Sequence, residues 1–568
     1  MTLAVTRGAL RQIADEMDLH LIRAAISPII SEMHDCAHGI YDAHNGETIA
    51  QGGFGLPMFL ANMQYTVQNL LEVVCNDGGF QPGDVWILND PYLSGTHLQD
   101  VTMVAPHFVD GELFALLANT GHWMDIGGSV AGGWAPKATE IHQEGIIIPP
   151  VRLVDAGKRN HALVKMFLAN VRLPDQISGD LEAMANVFHV GHRGLDALIE
   201  RYSAATLREC IDEMMTRSER QMRSHIDEIP DGTYRFQDYF DNDGIVDEPL
   251  TVNLALTVSG SDMHFDFRGT SPAAIGPLNM AETTTRSLAF VALKHLFPDV
   301  PVNGGTFRPT QFDVPVGCIL AAQYPSPVCG YTDVINRVID VVFGALAQAI
   351  PERTPAAPFG TTGVTTVSGR HADGRYYVGV YPYPGGYGGS TESDGLVNGT
   401  LPSSLAGFMS VEMSEHRYPL RFEYLAIRED SAGAGTQRGG CGTRYAITAL
   451  DDCLVSVLGD RVDHAPFGVH GGLDAKSNHV EFNTGGESWI PPMRSKAEKV
   501  PLAAGDTVYL NSPGGGGFGD PHKRDIAAVT ADLNGGIISR ETAESIYGAR
   551  VKSEQKIGPH WRYQLERG

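Results

Sequence analysis

The first third of the chain alternates between helix-like and strand-like patterns of apolar residues. Apolar positions first recur at helical spacing, which predicts a helix over residues 8–33 that Pro28 kinks or ends. Short apolar runs then flank Asn45-Gly46, and longer ones flank Asp110-Gly111. These dipeptides between apolar runs are typical of two-residue β-hairpin turns. The pattern therefore predicts an N-terminal helix followed by two hairpins.

The rest of the chain changes pattern twice. Helical periodicity dominates residues 161–226, and short alternating strands with Gly, Asp and Asn turns begin near residue 229. Two further helices are predicted at 281–298 and 333–350, before a strand- and loop-rich last third. We therefore predict an α+β multidomain fold, with β-rich middle and C-terminal regions. Its predicted parts are an N-terminal mixed α/β domain (1–228), a β-meander plus helices (229–370) and a glycine-rich β/loop domain (371–568).

Composition narrows the class of protein. Hydrophobic residues make up 43% of the 568, which is enough for large cores, and the net charge is −25. Such an acidic surface repels phosphate backbones and anionic lipid, so we expect neither a nucleic acid nor a membrane as partner. Seven scattered cysteines without a CxxC pair and the lack of an apolar leader predict a cytoplasmic protein.

Local geometry gathers three potential metal ligands around the second hairpin. If the Asp110-Gly111 turn is correct, His122 lies opposite Gln99, beside Asp100 and two residues from His97. Facing side chains of an antiparallel pair are only about 4.5–5.5 Å apart at Cβ. Two imidazoles and a carboxylate form an N,N,O set of the kind that holds a catalytic divalent metal with open positions.

Two reservations accompany this hairpin interpretation. Strict alternation places Asp100 on the opposite face from the two histidines, so the site requires a bulge between Leu98 and Val101. Histidine and aspartate at strand ends also commonly cap loop backbone instead of binding metal. The first hairpin carries five more such residues, of which one or two are candidates to join the site: His34, Asp35, His38, Asp42 and His44.

The remaining motifs exclude several other kinds of site. The glycine run 512–521 is open to interpretation as a phosphate cradle or as a close-packed loop, because no Walker lysine follows it. The chain has no HExxH, no GxSxG and no convincing Rossmann glycine motif. Any ATP-driven chemistry would therefore place the nucleotide on a partner.

Eight stretches, in order along nearly the whole chain, resemble the hydantoinase B/5-oxoprolinase B family, whose relatives include the beta chain of caprolactamase and the metal-bearing chains of acetone and acetophenone carboxylases. The matching stretches are GDVWILNDPYLSGTHLQDVTMVAPHF (83–108), EIHQEGIIIPPVRL (140–153), NVRLPDQISGDLEA (170–183), DFRGTSPAAIGPLN (266–279), PDVPVNGGTFRP (298–309), IDVVFGALAQAIPERTPAA (339–357), RYPLRFEYLAIREDSAGAGTQRGGCG (417–442) and SPGGGGFGDP (512–521).

The resemblance implies an ATP-dependent amidohydrolase acting on a cyclic amide, namely a hydantoin, 5-oxoproline or lactam. A hydantoinase A-type ATPase partner, expected in a heterotetramer, would bind ATP with Mg and phosphorylate the amide oxygen. This chain would then hold one divalent metal (zinc, manganese or iron). The family's ligands map onto Asp42, His97, Asp100 and His122, with Asp125 or His38 as proton acceptor or orienting residue.

Two other functions stay open at this stage. An ATP-dependent ketone carboxylase of the acetone or acetophenone type would use the same metal, and bicarbonate dependence would separate the two. Trp123 stands where many relatives carry a second histidine, which favours an aromatic or bulkier substrate. A scaffold protein with a closed, structural metal site is the third interpretation.

Overall fold

The computed structural model describes residues 2–557 and 560–568. Its first part is a seven-stranded sheet covered by helices, in the strand order β2-β1-β5-β4-β3-β6-β7. The elements of this part are α1 (Thr2–Ala24), α2 (Pro28–Ser31), β1 (Cys36–Asp42), β2 (Thr48–Gln51), α3 (Pro57–Asn76), β3 (Val85–Leu88), α4 (Pro91–Ser94), β4 (Asp100–Val109), β5 (Glu112–His122), β6 (Val151–Asp155), β7 (Lys158–Arg159), α5 (His161–Ala169), α6 (Pro174–Asn186), α7 (Phe188–Tyr202) and α8 (Ala204–Asp227).

The middle part adds a four-stranded sheet and two long helices. Strands β8 to β10 form the predicted meander, and β11 joins β10 in parallel. The elements are β8 (Gly232–Phe240), β9 (Leu250–Ser259), β10 (Asp262–Asp266), α9 (Glu282–Leu296), β11 (Thr310–Asp313) and α10 (Tyr331–Leu346). Helix α10 is buried along its whole length and packs against α9 and the meander, so it crosses the centre of the molecule.

The last part contains two sheets and a terminal hairpin. Strands β13-β12-β16-β19 form one sheet and β14-β15-β20-β17-β18 the other. The elements are β12 (Val364–Arg370), β13 (Tyr376–Tyr381), α11 (Val411–Arg417), β14 (Leu420–Ile427), β15 (Thr443–Ala449), β16 (Cys453–Leu458), β17 (His479–Thr484), β18 (Glu487–Trp489), β19 (Lys496–Leu502), β20 (Thr507–Asn511), α12 (Ile526–Asn534), α13 (Arg540–Ser545), β21 (Ala549–Ile557) and β22 (His560–Arg567).

The predicted mixed helix-and-sheet, multidomain fold is confirmed by this architecture. Both predicted hairpins form, as β1–β2 and β4–β5. The three-part division stays a prediction, and one large hydrophobic core combines residues from either side of position 228. The glycine run 512–521 packs closely against loops of its own chain: Gly515 and Gly516 leave no room for a Cβ beside the backbone of Tyr387 and Phe467.

A buried network of charges joins α10 to the C-terminal sheets. The Asp460 carboxylate, just after β16, contacts Arg337 Nη2 at 2.6 Å and Lys496 Nζ at 3.0 Å. Arg461 pairs with Asp238 of β8 in the same way. All these side chains are buried, and removing one member leaves the others uncompensated. The network therefore fixes the C-terminal sheets relative to the helix that reaches the candidate site.

Within the described residues, no helix combines the length and the apolar character that crossing a membrane requires. The cytoplasmic location stays a prediction. All seven cysteines are free thiols, as their scattered spacing indicates.

Candidate metal centre

The register of the β4–β5 hairpin brings a carboxylate and an imidazole face to face. Near the turn the pairing follows the Asp110-Gly111 geometry, with Val109 opposite Glu112. Between His107 and Phe108 the register shifts by one residue, because β5 carries Phe114 as an unpaired extra residue. From there to the open end Asp100, and not Gln99, lies directly opposite His122. The expectation of a bulge between Leu98 and Val101 is therefore wrong, because the extra residue lies in β5 near the turn.

His97 reaches the same point from a loop outside the strand. Helix α4 ends at Gly95, whose φ of +83° turns the chain back toward β4. Asn89 holds the loop, because its side-chain amide donates to the Leu98 carbonyl at 2.6 Å. His97 Nε2 lies 3.3 Å from Asp100 Oδ1, and the ring centres of His97 and His122 are 5.1 Å apart. Strand alternation therefore does not govern the direction of His97.

The three side chains form a buried set of ligand atoms. One atom from each of His97, Asp100 and His122 lies within 4.8 Å of the others, and all three residues are at most 2% exposed. Among the described residues, His97 Nδ1, both His122 ring nitrogens and Asp100 Oδ1 have no hydrogen-bond partner. Buried polar atoms are almost always satisfied, so this convergence fits a cation that the residues would hold together.

Asp35 lies beside this set, although it is not one of the mapped ligands. Its carbonyl accepts the His122 N–H at 3.1 Å, and it precedes Cys36, which pairs with Gly121. The carboxylate lines the same cavity, and its Oδ1 has no partner among the described residues. Burial and the nearby charge of Asp100 raise the pKa of Asp35 well above its usual range. A second carboxylate therefore lies beside the two imidazoles and Asp100.

Asp42, in contrast, is not brought to the cluster. It pairs with Ala115, six strand positions from Cys36, which is roughly 20 Å along the strand. Because 115 and 122 differ by an odd number, its side chain also faces the other side of the sheet. Its Oδ1 accepts from the N–H groups of His44 and Asn45 in the turn. The structure thus gives Asp42 the role of capping the first hairpin.

His38 also lies away from the cluster. It pairs with Asn119, an odd number of positions from His122, and so faces α1 on the opposite side of the sheet. There its Nδ1 lies 2.7 Å from Asp18 Oδ1, and both side chains are fully buried. This pair fastens α1 to the sheet.

Asp125 organises a loop and does not face the cavity. Its carboxylate accepts four hydrogen bonds, from the N–H groups of Gly127, Gly132 and Arg172 and from the Arg172 guanidinium at 2.9 Å. These bonds fix the loop that leads to Trp134. Trp123, also expected near the substrate, packs edge-on against Phe167 in the core on the far face of the sheet.

We expect Asp125→Asn and Arg172→Met to have the same moderate effect, since both loosen this loop. Turnover per active site should fall roughly tenfold and unfolding should become easier by about 1–3 kcal/mol, without a change in the shape of the pH–rate profile. Steady-state kinetics from pH 5 to 9 would measure this. If Asp125 were the proton acceptor, Asp125→Asn alone would abolish turnover and Arg172→Met would not.

Three residues that sequence reasoning did not identify complete the site. The Tyr331 hydroxyl, at the start of α10, donates to Asp100 Oδ2 at 2.8 Å, and its ring lies 4.8 Å from that of His97. Trp134 stacks on His122 with an interplanar angle of 14°. Thr332 follows Tyr331 and lines the cavity. Tyr331 and Thr332 lie more than 200 residues after the hairpin in sequence, and Trp134 follows it after a long loop. No local sequence pattern therefore links these three residues to the hairpin.

The environment keeps His122 ready to act as a ligand. Burial and the neighbouring His97 lower the pKa of His122 to about 3, so its ring is neutral at neutral pH and offers a lone pair. The cluster opens into a cavity of about 390 Å³, a size typical of small-molecule sites. This opening distinguishes it from the closed ligand shell of a structural metal.

A family model and several known proteins are similar to this chain over most of its length. A family model described as hydantoinase B/oxoprolinase matches residues 1–521. The chain is 32% identical to an uncharacterized protein of Methanocaldococcus jannaschii, with 97% of this chain and 96% of that protein covered. It is 30% identical to the beta chain of the caprolactamase of Pseudomonas jessenii, with 98% and 97% covered.

Two solved structures have a similar fold. The ATP-dependent caprolactamase from Pseudomonas jessenii matches with a TM-score of 0.89 and 29% identity, covering 96% of each chain. A nucleotide-free acetone carboxylase matches with a TM-score of 0.86 over 98% of this chain and 80% of that one. At 18% identity the second match shows the fold alone.

Proposed function

The chain belongs to the hydantoinase B/oxoprolinase family, and from this membership we propose that it is the B-type component of an ATP-dependent hydrolase of cyclic amides. The observation that carries the proposal is the buried His97–Asp100–His122 set at the end of a cavity. Relatives named as the B-type component of a hydantoinase and the beta chain of a caprolactamase support it. Candidate substrates are hydantoins, 5-oxoproline and lactams.

We propose that four residues hold one divalent metal: Asp35, His97, Asp100 and His122. Imidazole and carboxylate ligands serve zinc, manganese and iron alike. A divalent ion supplies Lewis acidity and lowers the pKa of the water that it binds. Asp35 takes the fourth position in this proposal in place of Asp42, because its carbonyl accepts the His122 N–H and it lines the same cavity as the other three residues.

The other residues of the site orient and shield this set. The Tyr331 hydrogen bond fixes one oxygen of Asp100 and leaves the other free for a ligand role. Trp134 packs against both imidazole rings and keeps bulk water from them. Preorganisation of this kind spares the site a rearrangement when the substrate arrives.

The ATP-dependent step is assigned to a partner of the hydantoinase A type, with ATP and Mg bound there. That partner would phosphorylate the amide oxygen. One water in this cavity would then add to the activated carbon, and the C–N bond would break as the ring nitrogen takes up a proton. A second water would hydrolyse the remaining acyl phosphate to the free acid and phosphate. The names of the hydantoinase and caprolactamase relatives, each of which designates one component of a larger enzyme, support the need for a second chain. A heterotetramer of the two chains is part of the proposal.

The test is ATP hydrolysis by the co-purified complex against hydantoins, lactams and aryl ketones, with and without bicarbonate. We expect ADP release with a cyclic amide in the absence of bicarbonate, accompanied by the ring-opened acid in equal amount. Release that requires both a ketone and bicarbonate would instead establish a carboxylase. This chain alone, without its partner, should release no ADP.

A further inference from the structure

The candidate cavity has two chemically different ends, and we propose that it selects neutral cyclic amides with apolar substituents over carboxylate-bearing ones such as 5-oxoproline. This inference rests on the proposed function and narrows its substrate class. The metal ligands occupy one end of the cavity. Apolar side chains from distant parts of the chain form the other.

The apolar wall is assembled from the region around α2, from strand β13 and from the loop 398–408. These segments contribute Ile29, Met33, Val380, Leu401, Leu405 and Phe408. Two backbone hydrogen bonds hold the loop against the N-terminal part: Gly407 N–H donates to the Met33 carbonyl at 2.8 Å, and Met58 N–H to the Ser403 carbonyl at 2.7 Å. The wall is therefore fixed in place, and an apolar ring substituent gains by leaving water there.

The charges around the cavity disfavour an anionic substrate. Its acidic and imidazole side chains are Asp35, Asp100, His97 and His122, and none of the described residues that line it is a lysine or arginine. The two carboxylates would balance the charge of a divalent cation and leave no positive charge over for the substrate. A further carboxylate would lose its hydration without gaining a cationic partner, which is strongly unfavourable.

A buried hydroxyl, that of Thr332, is available to hydrogen-bond the amide group of a cyclic substrate. Thr332 lines the cavity, and its Oγ1 is buried and has no hydrogen-bond partner among the described residues. Its backbone is fixed, because its carbonyl accepts the Thr362 hydroxyl at 2.8 Å. A threonine hydroxyl can donate to a ring carbonyl or accept from a ring N–H. The polar atoms of a neutral cyclic amide can therefore hydrogen-bond at the metal end of the cavity while its carbon atoms pack against the apolar wall.

The first experiment separates binding from turnover. Isothermal titration calorimetry on the metal-loaded complex would compare a 5-alkyl hydantoin, unsubstituted hydantoin, a medium-ring lactam and 5-oxoproline. We expect the two apolar rings to bind at least tenfold more tightly than unsubstituted hydantoin, and 5-oxoproline to bind most weakly. Equal or tighter binding of 5-oxoproline, or no binding by any neutral ring, would overturn the inference. Binding without ADP release would overturn only the proposed hydrolase.

The second experiment changes the wall itself. Leu405→Arg places a cation at the cavity mouth, and we expect it to shift the ratio of kcat/KM for 5-oxoproline over the alkyl hydantoin at least tenfold toward 5-oxoproline. Leu450→Arg is the matched control, because both leucines are 52% exposed and only Leu405 lines the cavity. The control should leave the ratio unchanged. An unchanged ratio in Leu405→Arg, or the same shift in the control, would contradict the inference.

Discussion

Exchanging Asp35 for asparagine is expected to lower metal affinity and ATP-dependent ring opening by more than about 100-fold each. Loss of residues that only support a metal ligand already costs 10–100-fold, and loss of a ligand's charge costs more. His122→Ala should have a comparable effect, because it removes an imidazole whose two ring nitrogens are both buried and without a partner among the described residues. Metal analysis of the purified complex and stopped assays of ADP release would measure the two effects separately.

Asp42→Asn is the matched control for this prediction. It makes the same chemical change on the same stretch of chain, and asparagine keeps the oxygen that caps the turn at His44 and Asn45. We expect metal content and turnover within about twofold of the unchanged protein. If Asp42→Asn lost the metal and Asp35→Asn kept it, the assignment of the fourth ligand would be reversed.

Asp460→Asn is expected to destabilise the fold by about 3–5 kcal/mol at neutral pH. The change leaves the buried Arg337 and Lys496 without their shared carboxylate. Burial alone would raise the pKa of Asp460, but the charges of Lys496 and Arg337 hold it well below its usual range. A carboxyl group whose folded-state pKa is depressed stabilises the fold above its unfolded pKa of about 4, and this contribution fades at lower pH.

Urea unfolding at pH 7 and pH 3 would measure this effect. The difference between the two proteins should be largest at pH 7 and smaller at pH 3. Asp373→Asn serves as the control, because Asp373 forms an exposed ion pair with Arg375 at 2.7 Å. This substitution should leave the unfolding midpoint unchanged. A midpoint for Asp460→Asn that matches this control would show that the buried network does not stabilise the fold.

Local sequence signals predicted the elements around the site well. The Asp110-Gly111 turn forms the expected two-residue hairpin, with both residues at positive φ. Asn45-Gly46 also lies in a hairpin turn, but there only Gly46 has a positive φ and a four-residue loop joins Asp42 to Glu47. The Asp110-Gly111 turn brought His97, Asp100 and His122 together correctly. The one-residue bulge at Phe114 was not visible, since packing and not turn chemistry decides where a strand accommodates an extra residue.

The fourth ligand position shows where local reasoning ends. Asp35 and Asp42 both belong to the first hairpin, and the turn fixes only how β1 pairs with β2. The position of Asp35 depends on how β1 pairs with β5, about 85 residues later in the chain. Local propensity carries no information on that register. The mapping from the family resemblance selected Asp42, whereas the pairing of β1 with β5 brings Asp35 to the cluster.

The cavity wall could not be predicted for a related reason. Tyr331, Thr332 and the loop 398–408 reach the hairpin only through the packing of α10 and of the C-terminal sheets. The alternation of apolar residues predicts that these elements exist, but not which of them pack against each other. Buried ion pairs such as Arg337–Asp460 fix this packing, and these two residues are 123 positions apart in sequence.

The Phe114 bulge also determines where this chain can change length. The pairing between the bulge and His122 is independent of the hairpin tip, where Asp110, Gly111 and Glu112 are exposed. A peptide tag or a longer loop inserted at the tip would therefore leave Asp100 and His122 facing each other. Deleting Phe114 itself would remove the extra residue and keep Asp100 opposite His122, whereas deleting one paired residue between Ala115 and His122 would bring Val101 opposite His122. Across homologous proteins, length variation at the tip is thus compatible with an intact centre, whereas a one-residue deletion beyond the bulge is not.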